Sequence, residues 1–470
     1  MGNSEKERDE PLTPAGRMFL TPKMHQIIHC IIGCENPIDV EAVRTEITNS
    51  VMIRLPRFSS LLVRNSHGRE HWRKTRVDVD RHVLVIGDPV PSAGDRDEEA
   101  VNDEEAVNDY VADLSVSSPL SPDKPLWEAH LLMAHKCIVF RIHHALGDGI
   151  SLMSMLLECC RKADDPDQRP TINSVGTSSS NSSSNRKNQR RNLWKVVVGI
   201  LMGFVFIVEF VLRSLWVKDR RTAVSGGAGV ELWPRKLATA KFQVEDMKAV
   251  KKAVGDATIN DVLFGVLSFG LSRYLDMRSP KGALQEGIQI TGIAVVNLRK
   301  QPGLQELSDM MKGNSGIRWG NKFGIILLPV YYHQGRADPL QYVKTAKQMI
   351  DKKKRSPEAH FSYNIGRLAM SCFGVKVASL LNYRIVSNTS FSISNVIGPK
   401  EDITFAGNPV KYLRVNNTSL PNAISMHMVS YAGRADMQIL VAKDIIPDPQ
   451  VLAKCFEDAL HQMKEAATQE

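Results

Sequence analysis

The chain is poor in cysteine, and the cysteines it has are not arranged for structural chemistry. Its seven (Cys30, Cys34, Cys137, Cys159, Cys160, Cys372 and Cys455) are scattered, odd in number and without a CxxC pair. That pattern excludes a disulfide framework and a structural zinc site, and leaves buried or inert thiols. The opening residues, Met1 to Lys6, lack an apolar core, so no signal peptide is expected. Lys6 stands where the myristoylation pattern wants Ser or Thr. No nucleic-acid module is visible. Internal repeats are absent apart from one hexapeptide, DEEAVN, written twice between Asp97 and Asn108.

What is present is a globular composition. Apolar residues make up 43% and charged residues 24%, which excludes a disordered or fibrous chain. A length of 470 residues exceeds what one hydrophobic core supports, so two lobes are expected. The formal charge of +9 suits an anionic partner such as a membrane surface or a phosphorylated cofactor, or else is a basic solvated surface.

Three composition breaks divide the chain. Asp97 to Asp109 is acidic and reads as a solvated helical insertion. Thr171 to Asn192 is rich in Ser and Asn and ends in Arg186, Lys187, Arg190 and Arg191, the composition of a flexible linker. Val196 to Leu212 is apolar except for Glu209, with Trp194 and Trp216 outside it. At a helical rise of ~1.5 Å, Trp194 to Trp216 reaches about 33 Å, enough for a ~30 Å hydrocarbon layer. The expectation is a membrane-associated apolar helix with an aromatic belt. Both flanks read as mixed α/β. Gln26–Gly33, Trp72–Val85, Cys137–Ile142, Ile288–Asn297, Phe323–Val330 and Ser390–Val396 are strand candidates. Pro37–Ile53, Thr258–Tyr274 and Asp448–Glu465 are helix candidates, with Thr258 or Asn260 as an N-cap.

The passage from Cys137 to Met153 carries the chemistry. A strand runs into His143 and His144, then a Gly147-Asp148-Gly149 turn, then an apolar helix. Neighbouring strand side chains point to opposite faces, so one histidine alone can line a given cavity. The two glycines are expected to give the turn backbone freedom, and Asp148 to hold the loop. Diverging histidines with no third cluster speak against a metal; a histidine pair with no chemistry is the other alternative. An imidazole with a pKa near ~6.5 suits general-base work on an alcohol, whose hydroxyl is almost undissociated at neutral pH.

HHALGDG resembles the HHxxxDG signature of the acyltransferases that include condensation domains, chloramphenicol acetyltransferase-like enzymes and wax ester synthase/diacylglycerol acyltransferases. The likeness is nearest to the plant-type wax ester synthases, because further pieces recur in order. They are Glu10-Pro11-Leu12-Thr13-Pro14, Pro125-Leu126-Trp127-Glu128, Thr258-Ile259-Asn260-Asp261-Val262-Leu263 and Val296-Asn297-Leu298-Arg299. Gly320-Asn321-Lys322-Phe323-Gly324 and Ser394-Asn395-Val396-Ile397-Gly398-Pro399 complete the set. Ile397 departs from the proline common there, and the DFGWG motif of soluble plant alcohol acyltransferases is absent.

The resemblance implies an α/β, two-lobe, chloramphenicol acetyltransferase-like fold with mixed sheets, to which the sequence adds one apolar membrane helix in the inter-lobe linker. The lobes would be residues 1–170, carrying HHxxxDG, and 235–470, with the linker at 171–192 and the apolar helix at 193–217. His144 would be the general base, with His143, Asp148, Gly149 and Arg299 in support. His143 would fix the turn by a hydrogen bond, and Asp148 would pair with Arg299 across the lobes. Asn395 and the backbone near Gly398 would line the acyl tunnel or stabilise an oxyanion. Acyl-CoA is then a substrate, with no cofactor and no metal; the acceptor is a long-chain alcohol, with diacylglycerol a further one. Family members of this type sit at the endoplasmic reticulum membrane, so that membrane, or the plasma membrane, is the expected location. A single span would put the lobes on opposite sides of the bilayer, so the segment is expected to dip in or lie along the interface. The alternatives are a catalytically silent lipid-binding or scaffold protein of the same fold, and an acyltransferase for a small soluble alcohol or amine.

Overall fold

A computed structural model of the chain describes residues 10–66, 68–91, 103–171, 189–280, 284–299, 319–334 and 338–469. Two large mixed sheets organise them. The first runs, in spatial order, β5 (Val83–Ile86), β6 (Trp127–Leu132), β7 (Cys137–His143), β2 (Ile27–Cys34), β14 (Asn408–Asn417), β13 (Ile403–Phe405) and β8 (Cys160–Lys162). Its β5–β6 pair is parallel and the rest are antiparallel. The second runs β11 (Phe323–Tyr331), β10 (Gln289–Asn297), β12 (Phe391–Ile397), β15 (Ile424–Tyr431), β16 (Arg434–Ala442) and β9 (Arg235–Gln243), with β10, β12 and β15 parallel. A small ribbon of β1 (Glu10–Pro11), β4 (Glu70–Lys74) and β3 (Ser60–Arg64) stands apart. Strands β13 and β14 come from the C-terminal part of the sequence yet lie in the first sheet. The lobes are therefore interwoven, which a division along the chain does not anticipate.

Each sheet has its own helical cover. In the first lobe, α2 (Val40–Asn49), α3 (Val51–Arg54) and α5 (Gly149–Glu158) close over Ile28, Phe140 and Ile142. In the second, α7 (Val244–Ala253), α8 (Ile259–Arg278), α9 (Pro339–Lys354) and α11 (Pro449–Gln469) bury Met426, Met428, Met437 and Ile439. Thr258 is the N-cap of α8. Its hydroxyl accepts from the Asp261 N–H while the Asp261 carboxylate accepts from the Thr258 N–H, a capping box that closes two donors at once.

Helix α4 (Asp103–Ser117) corrects one expectation. The first DEEAVN copy lies outside the described residues, but the second opens a helix whose Ala106 and Val107 are buried. Glu104 bonds Lys241 and pairs with Arg414 at 3.2 Å, and Asn108 donates to Thr239. The second half of the acidic run is wedged between the lobes rather than solvated, with Glu104 held by basic partners there.

The apolar segment is also corrected. It forms one helix, α6 (Gln189–Leu215), but among the described residues no helix is long and apolar enough to cross a membrane. The second half of α6 is instead docked on protein, where its charged groups find partners. Arg213 is buried, pairs with Glu209 at 3.1 Å and Asp219 at 2.9 Å, and donates to the Asn388 carbonyl. The Asn388 amide donates back to the Arg213 carbonyl at 2.6 Å. Phe210 packs with Ile293, Leu327, Ile385 and Val386, and Lys353 lies 3.8 Å above the Phe206 ring. One face of α6 thus belongs to the second lobe, against α10 (Glu358–Ser387), a helix broken at Gly374 where φ is +80°.

Candidate active site

Strand β7 ends at His143, and the chain then turns through His144, Ala145, Leu146 and Gly147 into the N-cap of α5 at Asp148. The His144 N–H donates to the Gln26 carbonyl at 2.8 Å, which fixes the turn against β2. His143 and His144 diverge as strand alternation requires. His143 is buried, and its Nδ1 accepts the Ala145 N–H at 3.1 Å, so this ring holds the turn. Burial pushes its pKa well below the ordinary histidine value, reinforced by the nearby His25 and His144 rings.

The His144 ring stacks on Phe19, with centroids 4.2 Å apart, and Phe323 lies 6.1 Å away. Phe19 directly follows α1 (Pro14–Met18), whose N-terminal cap is Thr13. The deciding contact comes from the other lobe. Asn321 donates from Nδ2 to the His144 carbonyl at 2.8 Å, which orients its amide. Its Oδ1 then lies 3.0 Å from His144 Nδ1. An amide oxygen only accepts, so Nδ1 carries the proton and Nε2 keeps its lone pair. Burial lowers the His144 pKa, against opposing contributions from its own backbone, the Asp148 charge and the Asn321 bond. The ring is thus a neutral imidazole with one nitrogen tied. Asn321 was not singled out from sequence, although the Gly320-Asn321-Lys322-Phe323-Gly324 motif that holds it was; its partner is 177 residues away.

Asp148 and Arg299 meet across the lobes. Arg299 grips the carboxylate with both terminal nitrogens, at 2.8 and 3.0 Å. The same guanidinium donates to Ser151 Oγ at 3.0 Å and the Gly320 carbonyl at 2.6 Å. Asp148 also accepts from the Ser151 N–H, capping α5, and from the Lys322 N–H. Both side chains are almost wholly buried. This latch holds the turn beneath His144 to the segment that supplies Asn321.

The glycines differ from expectation. Neither Gly147 nor Gly149 has a positive φ. What they supply is room: a Cβ on Gly149 would stand 3.2 Å from Val396 Cγ2, and one on Gly147 3.3 Å from Trp319 and Ser151. Of the two oxyanion candidates, Asn395 commits one of its two amide N–H groups and Gly398 its backbone N–H within the protein. Asn395 donates to Asn260 Oδ1 at 2.9 Å, and the Gly398 N–H donates to the Ser430 carbonyl at 3.0 Å.

Two apolar cavities flank the turn. The larger, about 360 Å³, is lined by Thr13, Met18, Phe210, Asn321, Phe323, Phe361, Met370 and Ile385, so it begins at the residue that bonds His144. The smaller, about 60 Å³, lies beneath α5 among Ile28, Phe140, Met52, Met153, Met155 and Leu156, and reaches Gly149 and Val396. Cys30 and Cys159 also line it; burial pushes their thiols up to about 12 and about 11.

Solved structures share this fold. A wax ester synthase/diacylglycerol acyltransferase from Marinobacter aquaeolei VT8 superposes with a TM-score of 0.60 at 16% identity, covering 97% of this chain and 100% of that one. A trichothecene 15-O-acetyltransferase from Fusarium sporotrichioides gives 0.56 at 10%, covering 97% and 95%. The starter condensation domain of rhizomide synthetase, in complex with C8-CoA, gives 0.52 at 13%, covering 98% and 95%. At such identities these establish the architecture alone. The sequence supplies the class: residues 23–263 match the wax ester synthase/diacylglycerol acyltransferase catalytic domain, and 319–464 match the WS/DGAT C-terminal domain. This is a two-lobe acyltransferase. Wax ester synthase/diacylglycerol acyltransferase 11 of Arabidopsis thaliana is 34% identical over 479 residues, covering 98% of this chain and 96% of that protein. Number 4 from the same plant is 34% identical over 492 residues, covering 100% and 92%. The chain belongs to the wax ester synthase/diacylglycerol acyltransferase family, and its chemistry is acyl transfer of that kind.

Proposed function

We propose that this chain moves a long-chain acyl group from coenzyme A to a long-chain alcohol, and also to diacylglycerol, with His144 as general base. The observation that carries the reading is the His144–Asn321 pair: it ties Nδ1 and leaves Nε2 basic, and Asn321 itself lines the larger apolar cavity. The acceptor hydroxyl passes its proton to Nε2 as its oxygen bonds the thioester carbonyl carbon. The tetrahedral intermediate collapses, the C–S bond breaks, and the imidazolium returns the proton to the CoA sulfur. Protons balance without an acyl-enzyme, and the raised thiols of Cys30 and Cys159 supply no thiolate for one. The larger cavity, which Asn321 lines, suits an alkyl chain. A fold neighbour that holds C8-CoA is consistent with the donor.

The substrates also argue for a lipid surface at the endoplasmic reticulum, without a span. Leu201, Phe204, Val205 and Val208 on α6 and Leu368 and Phe373 on α10 are exposed, the two phenylalanines by 64% and 69%. Both helices contribute to the wall of the larger cavity, and Lys352, Lys354 and Arg355 are exposed at the end of α9. Apolar side chains with nearby cations suit an anionic leaflet. The test is ester formation from labelled palmitoyl-CoA, with hexadecanol and with diacylglycerol, by parent and His144→Ala. The variant should lose at least ~100-fold in kcat with either acceptor. Equal yields from both proteins would remove the histidine base; ester from neither acceptor by the parent would remove the substrate assignment.

A further inference from the structure

An acyl-transfer site needs a hydrogen-bond donor where the carbonyl oxygen becomes an oxyanion. With the Gly398 N–H and one Asn395 N–H engaged, the sheet faces show where a further donor lies. Strand β15 alternates cleanly. Ile424, Met426 and Met428 enter the core of the second lobe, whereas Val429 and Tyr431 pack into the core of the first. By the two-residue period of a strand, His427 lies on the face turned to the first lobe. Register places it within the cleft: His427 stands opposite Ser394 on β12, and Val429 opposite Val396, the residue closest to Gly149 at the catalytic turn.

Among the described residues no protein group bonds the His427 ring, and its Nδ1 is buried without a partner. Orphaned polar atoms continue around it. Gln438 Oε1 on the adjacent strand, Asn422 Nδ2, and both nitrogens of His29 on the facing sheet are likewise buried and unbonded. Native interiors leave few such atoms, and a concentration of them at one interface points to groups held ready for a polar ligand.

We propose that His427 is a further catalytic residue, donating a ring N–H to the acyl carbonyl oxygen from the lobe opposite His144. The assignment rests on the reading of His144 as base. Burial and the neighbouring His144 lower the His427 pKa to about 4, so near neutrality the ring is uncharged. A neutral imidazole carries one N–H to give. Used as a donor through that N–H, it leaves the alcohol proton to His144. No bond to His427 forms or breaks; its donor strengthens as negative charge gathers on the oxygen, which lowers the barrier rather than tightening ground-state binding.

The experiment measures kcat and KM for palmitoyl-CoA and hexadecanol in the parent, His427→Phe and His427→Gln, with His144→Ala alongside and melting temperatures for all four. Phe keeps a planar ring without the donor; Gln returns an N–H at similar reach. The expected result is a fall in kcat of ~100-fold or more in His427→Phe, with each KM within about threefold, and at least about tenfold recovery in His427→Gln. Parental kcat in His427→Phe overturns the proposal, as does a loss confined to KM. Equal losses in both variants with lowered melting temperatures overturn it too, because a structural role alone would then account for them. Parental kcat in His144→Ala beside a loss in His427→Phe would remove the base while leaving the donor in place.

Discussion

Two polar regions join the lobes, and they follow opposite rules. At the latch, Asp148, Arg299, Ser151 and Gly320 bond one another through five contacts of 3.0 Å or less, the Lys322 N–H adds a sixth, and each carboxylate oxygen has two donors. At the seam, the row Glu128–Arg141–His29–Asn416 crosses the first sheet and faces the row Ser394–His427–Gln438–Thr239 of the second. Ile31 and Val139 pack on Leu237 and Leu440 beside these rows, and Arg414 bonds Asp436 at 2.8 Å, so the two faces meet. The outer end of the seam is paired: Glu128 holds Arg141 and His130, and Tyr110 bonds His130. Its inner end, nearest His144, is where His29, Asn416, Asn422 and His427 have polar atoms without protein partners. Where geometry must be held, both oxygens of the buried carboxylate are saturated; where reactants must be met, donors and acceptors are left unspent.

Breaking the latch should have the largest effect on stability. Arg299→Ala leaves the Asp148 carboxylate buried without its cation, and loss of one partner of a buried pair costs about 3–5 kcal/mol. Urea unfolding of parent and variant measures it. A loss below about 1 kcal/mol would mean that the latch is no more than an incidental contact.

The seam should respond with the opposite sign. His29 is fully buried with neither nitrogen bonded by protein, and burial holds its pKa well below the ordinary value, with the Arg141 charge adding to the effect. His29→Leu exchanges an unpaired polar ring for an apolar side chain of similar size. Stability should stay level or rise by up to about 1 kcal/mol in the same unfolding assay. A fall of more than about 2 kcal/mol would show that the seam is bonded as fully as the latch, and the contrast between the regions would disappear.

These regions were not equally legible in the sequence. Strand β7 and its turn were, because a strand of alternating contacts running into HHALGDG leaves few structural solutions. Asp148 and Arg299 could be matched because each is a charge that needs a partner when buried. Asn321 could not: a neutral amide carries no such demand, and its role exists only once two distant segments touch. The docking of α6 was not legible either, because hydropathy counts side chains one at a time and does not see that Arg213 bonds Glu209 and Asp219. The acidic helix α4 was misjudged for the same reason, since Glu104 is matched by Lys241 and Arg414 from far along the chain. Exchange of β13 and β14 between halves is likewise a long-range pairing that local pattern does not encode.

The finest test of the comparison changes one atom type at the boundary of the two regions. In the parent, His144 has its pKa lowered from 6.5 by burial, so kcat/KM should be level near neutrality and fall only as pH drops below the ordinary histidine range. The Asn321 bond acts the other way, favouring the protonated ring. Asn321→Asp replaces the amide oxygen with a carboxylate, strengthens that preference, and should move the acid limb to higher pH. Asn321→Leu removes the acceptor, should move the limb to lower pH, and should reduce kcat by ~10-fold or more, because Nδ1–H is no longer held and the ring loses its fixed tautomer. The pH profile of both variants, taken with one acyl-CoA and one alcohol, decides the matter. Limbs that stay where the parent has them would mean that the ionisation read in the profile is not that of His144.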